Sequence, residues 1–188
     1  PVKGILLLAF GGADSIESVE PFVKNVLKGR IPTQELIDKA RERYRLIGGK
    51  SPLLDLTLAQ GKAVTDMLNA GPEARYEYRA YVGMRYWHPY IAETIGKMKA
   101  DGVSEAIAVI MSPFLSLVAT GAYIEDLEAA VGVHGGPSVE MLGSWHMERA
   151  FRDLIAENVE KELSGLDRKD SLIIFSSHSL PAVAVEGD

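Results

Sequence analysis

The stretch Leu172-Ile-Ile-Phe-Ser-Ser-His-Ser-Leu-Pro181 lies near the end of the 188-residue sequence and is our starting point for predicting the fold. Its first four residues are apolar and mostly β-branched or aromatic, which is typical of a buried parallel strand. His178 follows among small hydroxyl side chains. Ligands of open α/β sheets bind at the carboxyl ends of the strands. His178 is therefore a candidate base or metal ligand, and a histidine that only caps the strand end fits the spacing equally well.

The composition fits a globular protein and excludes several classes of function. The sequence is 47% hydrophobic and 24% charged, and its net charge of −6 argues against a general nucleic-acid binder. No apolar run approaches the roughly 18 residues that span a bilayer, and the first apolar run is too short for a signal peptide. The absence of cysteine excludes disulfides, thiolate metal sites and cysteine-held iron–sulfur clusters within this sequence. We expect a cytoplasmic protein with no transmembrane segment and no nucleic-acid partner.

Strand-like and helix-like segments alternate along the chain. Segments with helical periodicity lie between the apolar, strand-like runs. Three such helices are predicted between the first and the second strand, whereas a minimal βαβ unit has one. This order predicts a mainly parallel sheet with helices on both faces, a three-layer αβα Rossmann-like domain over residues 1–188. The predicted strands are residues 4–10, 76–82, 106–111, 139–142 and 172–175.

The loops that follow the strands should meet at one edge of the sheet, because right-handed crossovers bring all carboxyl ends there. These loops begin near Gly11, Arg85, Phe114 and His178. The paired glycines at Gly11 and Gly12 permit anion binding before a helix, but neither a dinucleotide fingerprint nor a P-loop follows, which favours a plain turn. One imidazole, little charge and several large apolar side chains favour a flat, apolar ligand with an anionic border.

Four motifs together resemble ferrochelatase, the enzyme that inserts ferrous iron into a porphyrin. The likeness covers essentially the whole chain and follows the pattern of the bacterial enzymes, including the type that uses coproporphyrin. The motifs are FSSHSLP (175–181), YRLIGGKSPL (44–53), YVGMRY (81–86) and MSPFLS (111–116) leading to Tyr123.

The resemblance implies roles for individual residues. His178 matches the invariant histidine of the family, which is assigned either to iron binding or to removal of pyrrole protons. Phe10 stands where bacterial relatives often carry a tyrosine, and a phenyl ring cannot ligate iron. Ser51 and Tyr123 match positions near the propionates. Arg30 lies in the matching basic stretch, although Leu27 replaces an arginine of some relatives.

Three further residues complete the predicted binding surface. Arg85 is a candidate for contact with carboxylates at the rim of the ligand. Phe114 and Leu115 begin an apolar loop that would grip the macrocycle and help to bend it, and a lid over the core is the alternative interpretation of that loop.

The family fold has two Rossmann-like halves with the tetrapyrrole cleft between and beside them. We therefore interpret residues 1–188 as one domain, the N-terminal half of a two-domain enzyme, which needs a missing C-terminal half or a second chain and has little activity alone. Porphyrin and ferrous iron are the expected substrates, with no tightly bound cofactor. The alternatives are a cobalt or nickel tetrapyrrole chelatase and a catalytically silent haem- or porphyrin-binding domain. The choice between coproporphyrin and protoporphyrin stays open.

Overall fold

A four-stranded sheet in which all strands are parallel forms the centre of the fold. The computed structural model describes residues 1–71, 75–114, 120–167 and 169–177. The strands are β1 (Val2–Ala9), β2 (Glu77–Met84), β3 (Glu105–Ile110) and β4 (Ser138–Leu142). Their order is β2-β1-β3-β4, so β1 is bonded to a strand on both sides.

The described residues form six helices in addition to the strands. Thr33 caps the second helix by accepting a hydrogen bond from the Leu36 N–H, as expected of a threonine at this position. The three helices predicted ahead of the second strand are all present. The helices are α1 (Val19–Val26), α2 (Gln34–Leu46), α3 (Leu53–Ala70), α4 (Ile91–Ala100), α5 (Gly121–His134) and α6 (Arg149–Leu163).

Alternate side chains of β1 enter two separate cores. Leu6 and Leu8 pack with residues of α4 and α5 on one face, whereas Ile5 and Leu7 pack with the first turn of α3 on the other. Successive side chains of a strand point to opposite faces, so a strand that is apolar at every position requires helices on both sides. The predicted three-layer α/β fold with a parallel sheet is confirmed.

An asparagine contacts the backbone of β2, which is an outer strand of the four. The Asn69 side chain donates from Nδ2 to the Tyr78 carbonyl (2.9 Å) and accepts at Oδ1 from the Tyr78 N–H (2.8 Å). The last turn of α3 thereby satisfies a donor and an acceptor that have no neighbouring strand.

The chain divides into two compact units. The first comprises Pro1–Met111 and Tyr123–Leu142 and contains the whole sheet; the second comprises the rest of the described chain, including α6. None of the helices in the described ranges combines the length and the apolar character that a bilayer crossing requires. The interpretation of residues 1–188 as half of a larger enzyme stays a prediction.

The predicted fifth strand, residues 172–175, is wrong for this structure. These residues have neither helical nor strand conformation, and the side chains of Leu172 and Phe175 are 83% and 81% exposed. A strand is defined by backbone hydrogen bonds to a neighbour, and none of the strand pairs in the described residues includes this stretch. An apolar sequence favours a buried position, but it supplies no pairing partner.

Candidate functional site

The loops that follow β1 and β2 lie side by side at the carboxyl edge of the sheet. The Arg85 N–H donates to the Ala9 carbonyl and the Tyr86 N–H to the Phe10 carbonyl, both at 3.0 Å. The ring centres of Phe10 and Tyr86 are 4.6 Å apart, and Phe10 is 46% exposed. The prediction that these two loops meet is confirmed, and together they form a half-exposed aromatic surface.

A second aromatic layer supports this surface. The Phe22 ring of α1 lies 6.4 Å from Phe10 and 6.3 Å from Trp87, in edge-on geometry that favours aromatic pairs. Asn25, one turn further along α1, donates from Nδ2 to the Tyr86 carbonyl (3.2 Å) and to the Tyr90 hydroxyl (2.7 Å). Helix α1 is therefore fixed to the loop after β2.

Residues of α2 and of the α2–α3 connection hold the glycine-containing loop after β1. The Ala13 N–H donates to the Tyr44 hydroxyl (3.0 Å), and the Ser51 N–H donates to the Ala13 carbonyl (2.8 Å). A β-carbon on Gly12 would overlap Ser51, which explains the glycine. The Ser51 Oγ accepts from the Leu53 N–H (3.2 Å). Its own O–H has no acceptor within the described residues, so it is available to a ligand.

The turn that precedes α1 is stabilised by hydrogen bonds among its own residues. The Ser15 N–H donates to Ser18 Oγ (2.9 Å), and the Ser18 hydroxyl donates to the Asp14 carboxylate. The Ser18 hydrogen bond lowers the pKa of Asp14, so the carboxylate stays charged near neutral pH. A backbone N–H that an anion would need is thus occupied and a negative charge lies beside it, which favours the plain-turn interpretation of this loop over an anion site.

Arg85 lies against two tyrosines and a carboxylate instead of at an open rim. Its side chain is only 8% exposed, and Nε donates to Asp126 Oδ2 at 2.7 Å. Its guanidinium carbon lies 4.9 Å from the Tyr86 ring centre and 5.6 Å from that of Tyr123. Burial raises the pKa of Tyr123 to about 12. Sequence reasoning missed Asp126, because a single acidic residue on a helix carries no motif.

The other predicted site residues are less closely associated. Arg30 is exposed and has no ion pair within the described residues. Phe114 belongs to the second unit, where it is 60% exposed and its ring centre lies 5.3 Å from that of His146. Leu115 and His178 lie outside the described residues. The structure therefore brings together Phe10, Arg85 and Tyr123, linked through Tyr86.

Within the described ranges, no group of three or more histidine and carboxylate side chains is placed to hold a metal ion. The closest histidine–carboxylate pair is His88 and Glu93, with His88 Nδ1 2.9 Å from a Glu93 oxygen. Glu93 also accepts from the Tyr90 N–H (2.7 Å) and thereby caps α4. This pair orders a helix start, and the predicted metal role of His178 stays a prediction.

Comparison with known proteins gives a consistent result. The sequence matches the family model for ferrochelatase over residues 2–188. It is 36% identical over 183 residues to a ferrochelatase of Herpetosiphon aurantiacus, covering 94% of this chain and 59% of the relative. It is 33% identical over 184 residues to a coproporphyrin III ferrochelatase of Halalkalibacterium halodurans, covering 97% and 59%. A coproporphyrin III ferrochelatase 2 of Bacillus cereus is 32% identical over 179 residues, covering 95% and 56%. The chain thus spans less than two-thirds of the length of these relatives.

Proposed function

The chain belongs to the ferrochelatase family, and from this we propose that the protein containing it inserts ferrous iron into a porphyrin in haem biosynthesis. The observation that carries the proposal is the family match over residues 2–188. The relatives are longer than this chain, so the proposal concerns the complete gene product.

The aromatic surface at the ends of β1 and β2 supports a flat, apolar substrate. Phe10 is half-exposed and is held from behind by Tyr86 and Phe22. Ligand sites are mostly apolar, with a few polar groups that fix orientation. A macrocycle face can pack on this surface with little rearrangement of the protein, because the rings are already ordered by their neighbours.

Carboxylate groups on such a substrate have three candidate partners among the described residues. Arg30 is exposed and unpaired within the described residues, and the Ser51 O–H has no acceptor there. The Tyr123 phenol keeps its proton at all physiological pH values, because burial raises its pKa to about 12, and it can therefore donate a hydrogen bond. These three residues are proposed contacts for porphyrin carboxylates.

His178 is the proposed base or transient iron ligand. Metalation removes two protons from pyrrole nitrogens and admits one divalent ion, and a neutral imidazole can accept a proton or bind ferrous iron. Phe10 has no lone pair to offer iron, so its contribution is packing. Phe114 and Leu115 are proposed to grip the macrocycle, which would direct binding energy into bending it.

We further propose that iron is a substrate and that no cofactor is held tightly. The sequence contains no cysteine, so it supplies no thiolate for an iron–sulfur cluster. The remainder of the protein, or a second chain, is proposed to complete the cleft. Two of the compared relatives are named for coproporphyrin III, which makes that porphyrin the first substrate to test.

The test is an anaerobic metalation assay with the complete gene product. Ferrous iron is supplied with coproporphyrin III or with protoporphyrin IX, and the Soret band of the metalated product is followed. Loss of free porphyrin in the presence of iron is the expected result. Porphyrin binding without metalation would contradict the proposal and favour a silent binding protein. Faster reaction with cobalt or nickel would indicate a different chelatase. The 188-residue chain assayed in parallel should show little turnover.

A further inference from the structure

We propose that Asp126 is a positioning residue of the porphyrin-binding surface. It holds Arg85 against Tyr86 and Tyr123 and acts through that arginine without touching the substrate. This inference rests on the proposed function, because it assigns Asp126 a task in binding the same porphyrin.

The first observation is the unequal burial of the ion pair. The Arg85 side chain is 8% exposed, whereas that of Asp126 is 44% exposed, and the two meet at 2.7 Å. A guanidinium removed from water requires a nearby negative charge. The described residues supply that charge through Asp126, which therefore determines whether Arg85 stays in place.

The second observation is what the held arginine contacts. Its guanidinium lies over the rings of Tyr86 and Tyr123, at 4.9 and 5.6 Å from their centres. Such cation–π contacts are favourable and depend on the position of the cation. Tyr86 in turn packs on Phe10 at 4.6 Å. One arginine thus connects the loop after β2 with the start of α5 and, through Tyr86, with the half-exposed Phe10.

The third observation is the open space next to the pair. A cleft of about 400 Å³ is lined by Arg85 and Asp126 together with residues of α4 and α5, among them Ile91, Ala129 and His134. Without the Asp126 carboxylate, the guanidinium can turn into this cleft and reach water. Both tyrosines would then lose the cation that lies against them.

A variant that lacks the Asp126 charge distinguishes two interpretations: that Asp126 positions Arg85, and that Arg85 binds the substrate directly. If Arg85 bound substrate carboxylates directly, Asp126 would compete with them, and its neutralisation would strengthen porphyrin binding. If Asp126 positions Arg85 against the tyrosines, its neutralisation weakens binding. The two interpretations predict opposite signs for one measurement.

The experiment uses the complete gene product and the porphyrin that the wild-type protein metalates. Asp126→Asn should raise the dissociation constant of the porphyrin, measured by fluorescence quenching, by about tenfold. The reason is the loss of the charge-assisted hydrogen bond that holds Arg85. The KM for iron and kcat should stay within about twofold of wild type. Asp126→Glu should restore most of the affinity. Unchanged or tighter porphyrin binding by Asp126→Asn would overturn the inference.

The matched control is Asp66→Asn. Asp66 forms an exposed i,i+4 ion pair with Lys62 on α3, and its loss should leave porphyrin affinity unchanged. An equal loss in both variants would overturn the inference, because it would indicate a general charge effect.

A second readout needs no porphyrin and therefore separates failure of this inference from failure of the proposed function. The Nε–H of Arg85 should give an NMR signal protected from solvent exchange in the wild-type protein, because it is bonded to a carboxylate. The signal should disappear in Asp126→Asn and return in Asp126→Glu. A protected signal that persists in Asp126→Asn would show that something else holds the arginine.

Discussion

Two segments of the chain differ sharply in how they are held: the loop after β1 and the stretch of residues 172–177. The loop is small and contains two glycines, yet the Tyr44 hydroxyl and the backbone N–H groups of Ser51 and Tyr86 bind it. The later stretch is far more apolar, yet it has no regular structure and its side chains are largely exposed. Apolar character alone therefore says little about how firmly a segment is fixed.

The difference lies in what each backbone bonds to. The first segment continues from a strand that is paired on both sides, and its polar groups find partners in adjacent loops. The second segment has no paired strand within the described residues. Burial becomes favourable only when backbone donors and acceptors have hydrogen-bond partners. The two segments therefore differ because one has such partners in the described residues, not because one is more hydrophobic.

The largest effect is expected at His178, which follows the exposed segment in the sequence. His178→Ala in the complete gene product should reduce iron insertion by about a hundredfold or more, the usual contribution of a positioned proton acceptor. The far-UV circular dichroism should stay that of wild type. Wild-type turnover by this variant would remove His178 from the mechanism.

The next effect concerns the firmly held loop. Gly12→Ala should lower the free energy of unfolding by about 1–3 kcal/mol, because the new methyl group overlaps Ser51. Urea denaturation of the 188-residue chain measures this. Gly132→Ala is the control, because the structure places no atom within 4 Å of its β-carbon position and a helical alanine should be neutral or stabilising. Equal stability of both variants would contradict the tight contact at Gly12.

A smaller effect on the free energy of unfolding is expected from Tyr123, near the start of α5, and it should depend on pH. Burial raises the pKa of Tyr123 to about 12 from 10.0, so the folded state retains a proton that the unfolded state loses between these values. Stability conferred by the neutral phenol is present below pH 10 and is lost as the pH rises toward 12. Between pH 9 and 11 the wild-type chain should lose about 1 kcal/mol more than Tyr123→Phe in urea denaturation. Equal losses would mean that the phenol is solvated.

The smallest effect is expected in the exposed stretch. Ile174→Thr in the 188-residue chain should change the free energy of unfolding by less than about 0.5 kcal/mol, because this side chain is 79% exposed. A loss of about 2 kcal/mol would instead indicate burial in solution and reduce the contrast between the two segments. The measurement is again urea denaturation.

Much of the fold could be predicted because its central strands are apolar at every position. Leu6, Leu7 and Leu8 read as a strand buried on both faces, and the structure places helices on both faces of that strand. The stretch of residues 172–175 has the same composition, and the prediction failed there because pairing depends on a neighbouring strand that a local pattern does not encode.

The candidate site was predictable where a motif marked it. Tyr123 was identified from a motif and Phe10 from its position in the family resemblance, and the structure connects them through Tyr86 and Arg85. The burial of Arg85 and its partner Asp126 were not predictable. The two residues are 41 positions apart in the sequence, and only the folded chain brings Asp126 of α5 to Arg85 in the loop after β2.

The contact between Asn69 and Tyr78 has a consequence for behaviour at high protein concentration. Outer strands of a sheet can recruit strands from other molecules, which is a common origin of aggregation. Here a side-chain amide already engages a donor and an acceptor of β2. An incoming chain must displace this amide before it can extend the sheet, so a single residue at the end of α3 discourages self-association along that edge.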